Sequence, residues 1–194
     1  MAAETAAAME TGSVQAIADQ LYTAILEHRL PPGTQLKEVE LVDIFGVKRS
    51  RIRDVLARLA NERVIEIIPH RGAFVATPTV QETRDVLEAR LAIEPFVVEK
   101  LAGALTDPKK KRLAGHVRAE ERAREFDNVP EIVRLSGGFH LLLAELSGNQ
   151  SVARWMERLT AQTCLAICVY GRATDDSCRV GEHAAIVDAI SRRD

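Results

Sequence analysis

The chain has little net charge. Its 26 lysines and arginines nearly balance 28 aspartates and glutamates, leaving a formal charge of −2 over 194 residues. No global field draws it to nucleic acid or to an anionic membrane, so any such affinity must be built locally. A secretory segment is also missing. The opening MAAETAAAMETG has neither a cationic start nor a long apolar run, which excludes a signal peptide and predicts a flexible tail over residues 1–12. No apolar stretch is long enough to read as a membrane span. Cysteine is sparse and odd in number, at Cys164, Cys168 and Cys178, so a disulfide framework is not expected and a reducing cytoplasm is. There is no internal repeat, and no low-complexity tract beyond the alanine-rich start.

What is present is 46% hydrophobic residues, enough for a core in one large or two modest domains. Charge is concentrated in one stretch. Between Gly46 and Gly72, Lys48, Arg49, Arg51, Arg53, Arg58, Arg63 and Arg71 face only Asp54, Glu62 and Glu66. At helical period Val47 to Leu59 places Ile52, Val55, Leu56 and Leu59 on one side, while Lys48, Arg49, Arg51 and Arg53 crowd its first turns. One helix thus has a stripe to fix it to a scaffold and a cationic start able to enter a major groove. A short apolar helix, Glu38 to Phe45, precedes it through the turn residue Gly46. Two β-rich runs follow, Val64–Ile68 and Ala73–Ala76, around Pro69-His70-Arg71-Gly72. With an amphipathic first helix from Val14 to His28, closed by Pro31-Pro32-Gly33, the expected unit is a winged helix-turn-helix of three helices plus a small β-hairpin over residues 13–77.

The stretches LPPGTQLKE (30–38), Phe45-Gly46-Val47, Arg49-Ser50, IRDVL (52–56) and HRGAFV (70–75) resemble the GntR family of bacterial transcription regulators. The likeness covers roughly the first 79 residues. It departs from the family at Lys48, commonly a small hydroxyl residue, and at Arg51, commonly proline; both changes add positive charge. Arg49 and Arg53, one turn apart, are the candidates for base contact, because a guanidinium can pair guanine O6 and N7 together. Lys48, Ser50 and Arg51 are assigned to phosphates, and His70, Arg71 and Gly72 to the wing tip, at the minor groove or backbone. Arg58 and Arg63 read better as a solvated helix end.

After Thr77-Pro78-Thr79 only helical patterns appear, so the fold class is mainly α, with an all-α bundle over residues 78–194. Thr79 and Glu82 make a capping box, opening a helix that Pro95 should kink. Asp107-Pro108 reads as a cap and first-turn proline for a charged helix whose Lys109–Arg112 run is a solvated face. Asn128 to Gly148 is a third helix, with Gly137-Gly138 in its middle despite a cost of about 1 kcal/mol per glycine. Asn149 caps a fourth, in which Val152, Trp155 and Met156 are expected in the core. A polar loop from Thr174 leads to a last helix from Glu182.

EARLAIEP (88–95), Phe139-His140 with Gly148-Asn149, and Glu182-His183 with Ile186, Val187 and Ile190 resemble the FCD effector domain of FadR-like GntR regulators. That resemblance implies a helical bundle that dimerises and holds a small carboxylate effector in a central pocket, in many members through a zinc-like divalent metal. His140 and His183 match two metal ligands. The aspartate position is Ser136, and a final histidine, with the helix that carries it, has no counterpart before Asp194. A bundle short of that helix would need a partner subunit over the exposed stripe. Arg90, Ser136 and His140 are the implied effector-binding residues; Arg90 could equally be a surface partner of Glu94. Cys164 and Cys168 read as small buried apolar residues. A hydrolytic set of Ser136, His140 and His183 lacks any nucleophile motif, so no enzyme is expected.

The leading expectation is a cytoplasmic, homodimeric DNA-binding transcription regulator, a repressor of a near-palindromic operator on double-stranded DNA under a small organic acid, with no membrane role. The alternative is a metabolite- or metal-binding helical interaction module with a vestigial winged helix.

Overall fold

In the computed structural model, residues 13–27, 29–171 and 181–192 are described. The expected N-terminal tail, most of the polar loop from Thr174, and Cys178 lie outside them. The chain divides after Thr77 into two units.

In the first unit, Ser13 opens α1 (Val14–Leu26) by accepting the Ala16 N–H at 3.1 Å. Helix α2 (Glu38–Phe45) stops because Gly46 takes the left-handed conformation, φ +62°, and its N–H caps Val42 O. The next helix, α3 (Arg49–Asn61), starts two residues later than the pattern predicts. Val47 and Lys48 complete the turn, and Lys48 is the extended cap residue. Ile52, Val55, Leu56 and Leu59 are buried, and α3 packs on both α1 and α2. Burial of this stripe, rather than propensity, is what holds so cationic a helix in place.

Strands β2 (Ile65–Ile68) and β3 (Gly72–Val75) form the expected antiparallel hairpin. The sheet, however, has three strands. β1 (Gln35–Leu36) pairs with the other edge of β3, in the order β1-β3-β2. Two residues show no alternation in sequence; the strand exists because β3 offers a free edge, and Gly33 and Thr34 continue the ladder to Val75.

The second unit holds five helices among the described residues. α4 (Val80–Gly103) opens with the capping box of Thr79 and Glu82 and runs unbroken through Pro95. For α5 (Asp107–Glu125) the cap residue is Thr106, so Asp107 is already helical. α6 (Val129–Leu146) is capped by Asn128 and α7 (Gln150–Tyr170) by Asn149; α8 (Glu182–Arg192) is the last described. α6 lies at the centre, against α4, α5 and α7, with Phe139 fully buried beside Leu101, Leu113, Met156 and Ile190. Trp155 is not in that core: it is 58% exposed. The buried stripe of α7 runs Val152, Met156, Thr160, Thr163 and Cys164, and the neighbour of Met156 is turned about 100° away from it.

The double glycine of α6 is explained by close approach. A Cβ on Gly137 would lie 2.7 Å from Cys164 Sγ and 2.9 Å from Thr160 Cγ2; one on Gly138 would lie 3.1 Å from His116 Cε1. Both Gly137 contacts are with buried side chains. Gly137→Ala is therefore expected to lower stability by about 1–3 kcal/mol through overpacking, although alanine is the better helix former by about 1 kcal/mol. Thermal unfolding checks this, and a stabilised variant would contradict the close approach.

Candidate DNA-reading face and ligand cavity

The exposed side of α3 presents Lys48, Arg49, Ser50, Arg51 and Arg53. Arg49 and Arg53 are held together by one carboxylate. Glu38, in the first turn of α2, accepts Arg49 Nε at 2.5 Å and Arg53 Nε at 3.1 Å. The Arg49 hydrogen bond, with Arg53 adding to it, outweighs burial and holds the Glu38 carboxyl below its ordinary range. This clamp sets the two guanidiniums side by side. Its signal was absent from local sequence, since Glu38 lies 11 and 15 residues from its partners.

His70 and Arg71 are exposed in the turn between β2 and β3. Arg71 N–H donates to Ile68 O at 3.0 Å, and Gln35 from β1 donates to Arg71 O at 2.8 Å. The Arg71 guanidinium sits 5.4 Å over the Phe74 ring. Gly72 has φ +103°, a conformation that side chains strain to adopt. Between wing and helix lies a groove of about 600 Å³ whose lining includes Glu38, Arg49, Arg53, Gln35 and Gly72. The third strand thus does what a bare hairpin would not: it ties the wing turn beside the basic helix. Arg58 pairs with Glu62 at 3.2 Å along the helix.

In the helical unit a cavity of about 920 Å³ opens between α4, α6 and α7. Arg90, Ser136 and His140 all line it. Arg90 also makes the surface-type pair: its Nε donates to Glu94 Oε1 at 2.6 Å, while His140 Nδ1 is 3.0 Å from Glu94 Oε2. Burial pushes the Glu94 carboxyl up, but His140 and Arg90 together bring it below its ordinary value. The remaining wall is largely apolar, with Leu87, Leu91, Pro95, Val98, Ile167 and Tyr170. Cys164 is buried, and burial together with Cys164 pushes the Cys168 thiol up to about 11, which suits inert packing.

His183 is not among the described residues lining the cavity. Its ring stacks on Phe139, centroids 4.0 Å apart, and meets the His140 ring edge-on at 5.3 Å. Its Nδ1 is 2.8 Å from Glu120 Oε2, so that nitrogen carries the proton. His116 Nε2 donates to Leu135 O at 2.8 Å and lies 3.4 Å from Glu120 Oε1. The family's metal would have to be held by Ser136, His140 and His183. Both histidines give Nδ1 to a glutamate, which leaves Nε2 as the one nitrogen each could offer a metal; the serine is a weak donor, and no group of three or more His, Cys, Asp or Glu able to hold a metal ion occurs among the described residues. Zinc takes three or four protein ligands, so this donor set does not fit it. His116 and Glu120, absent from the expected site residues, stand one turn apart on α5, a spacing that is itself a signal in the sequence.

Burial raises the Glu120 carboxyl, and the hydrogen bonds and charges of His116 and His183 overcome this, taking it from about 4.5 down to about 2. A depressed carboxyl contributes stability that is present above pH 4.5 and lost as pH falls towards 2, worth about 3 kcal/mol in full. Glu120→Gln is thus expected to be less stable than the parent at neutral pH, with the difference shrinking through that window. Acid denaturation of both proteins checks it; a constant difference would mean that the charge on Glu120 is not what matters.

The fold and these two sites have known counterparts. The family model described as "Bacterial regulatory proteins, gntR family" matches residues 13–75, and the one described as "FCD domain" matches residues 85–194. The chain belongs to the GntR family of bacterial regulatory proteins, in its FCD-domain branch. Among similar proteins, the HTH-type transcriptional repressor RspR of Escherichia coli K12 is 26% identical over 166 residues, covering 85% of this chain and 73% of that protein. The gluconate operon transcriptional repressor of Bacillus licheniformis is 36% identical over 91 residues, 47% of this chain and 37% of that one. In fold it resembles a putative GntR transcriptional regulator from Rhodococcus sp. RHA1, with TM-score 0.79 at 21% identity over 93% of this chain and 86% of the other. Escherichia coli McbR/YncC gives TM-score 0.80 at 16% identity, covering 93% and 87%. This GntR-family protein is a DNA-binding transcription regulator and not an enzyme. No described helix is long and apolar enough to cross a membrane.

Proposed function

We propose that this GntR-family regulator is a cytoplasmic repressor that binds a near-palindromic operator as a homodimer and is released by a small carboxylate held in the cavity of its helical domain. The observation that carries this reading is the pairing of Arg49 and Arg53 by Glu38 on the exposed side of a helix whose other side is buried. Two guanidiniums one turn apart suit two guanine edges, and Lys48, Ser50, Arg51, His70, Arg71 and Gly72 surround them with phosphate and minor-groove contacts. A second copy then reads the other half-site. Arg90, Ser136 and His140 supply the polar end of the effector site, and occupancy there changes the spacing or mobility of the two readers. The repressor names of similar proteins agree with this direction of control.

The test is duplex binding with DNA from beside the gene and with a scrambled duplex, across a salt series. The regulator should prefer the first, and its affinity should fall steeply with salt. Equal binding to both duplexes would instead favour a vestigial winged helix.

A further inference from the structure

The cavity of the helical domain has a charge balance and a wall that narrow its ligand. Among the described residues lining it, Arg90 is the one lysine or arginine, against Glu94 and Glu99. Glu94 already takes Arg90 Nε, so the two Nη groups are the part of the guanidinium not committed to it. That fork matches one carboxylate. A second or third anionic group would meet Glu94 and Glu99, with no further lysine or arginine among the described lining residues to balance it. Away from this end the wall offers Leu87, Leu91, Pro95, Val98, Ile167 and Tyr170. Thr83 and Thr163 also line the cavity, but their hydroxyls already donate to Thr79 O and Leu159 O, so hydroxyl groups of a sugar acid placed there would lose water for few partners. Leu91 is 74% and Leu87 43% exposed, apolar surface that an apolar ligand would take out of water. At about 920 Å³ the space suits a drug-sized molecule better than a two- or three-carbon acid.

We propose that the cavity takes a monocarboxylate with an apolar body, aromatic or medium-chain aliphatic, its carboxylate on the Nη groups of Arg90 and its body against Leu87, Leu91, Val98 and Ile167. Hydroxylated sugar acids and polycarboxylates are disfavoured. This rests on the reading of the cavity as the effector site and adds the class of ligand.

Calorimetric titration of the full chain with phenylbutanoate, gluconate and citrate tests it, alongside phenylbutanamide, which keeps the body and removes the charge. Phenylbutanoate should bind at least about tenfold tighter than gluconate or citrate, as expected when an apolar body is buried. Leu91→Ser, at an exposed position that tolerates a polar residue, should weaken phenylbutanoate by about fivefold or more. Arg90→Gln should erase the advantage of the acid over the amide. Gluconate or citrate binding as tightly as phenylbutanoate overturns the ligand class and leaves the effector reading standing. If none of the acids binds, both fall, and the operator titration still reports separately on the DNA reader.

Discussion

Arg53→Ala is expected to weaken operator binding by about 5- to 150-fold, the range of one bidentate base contact worth about 1–3 kcal/mol. With Arg49→Ala added, operator and scrambled DNA should bind alike. The basis is geometric: both guanidiniums hang from one carboxylate, Glu38, on the exposed side of α3, while Ile52, Val55, Leu56 and Leu59 anchor the buried side. Because the arginines contribute nothing to that anchor, the melting temperature should barely move, which separates loss of reading from loss of fold. Lys48→Ala is the contrast. A phosphate contact carries no sequence information, so both duplexes should weaken together and the salt dependence should become shallower by about one charge. Fluorescence anisotropy with the two duplexes measures all of this. Retained discrimination in the double variant would move base reading elsewhere, to the wing.

Phe139→Ala should give the largest loss of stability, about 3–5 kcal/mol. Phe139 is fully buried at the centre of α6 and stacks on His183. Removing the ring leaves a cavity at the centre of the bundle and takes away the surface that holds His183 against Glu120. At about 2–4 °C per kcal/mol for a chain of this size, the expected drop in melting temperature is roughly 6–20 °C. Thermal denaturation followed by circular dichroism reads it directly. A loss below about 1 kcal/mol would be that of an ordinary surface site and would mean that the bundle collapses around the gap.

The two variants probe different kinds of information. The helical stripe of α3, the stop at Gly46, the capping box at Thr79 and Glu82, and the caps Asn128 and Asn149 were all legible, because each depends on residues within a turn or two of one another. So was the gathering of Arg49 and Arg53 on one helix. Trp155 shows where such reasoning ends. Spacing from Val152 and Leu159 admits it to the core, but the face of α7 that is buried is chosen by α6, through the close approach at Gly137. The third strand likewise needed the free edge of β3.

By itself, then, the sequence determined the order of the helices and of the wing hairpin, and the basic face of α3, since periodicity, caps and local charge are short-range properties; Arg90, Ser136 and His140 came from the resemblance to the FCD domain. Only tertiary structure decided that Glu38 clamps both arginines, that His183 turns to Glu120 while His140 reaches the Glu94 already paired with Arg90, and that Gln35 ties the wing turn. Those contacts mostly join residues from different elements, far apart in the chain. Partners at such separation are set by how helices and strands pack, which local spacing does not encode.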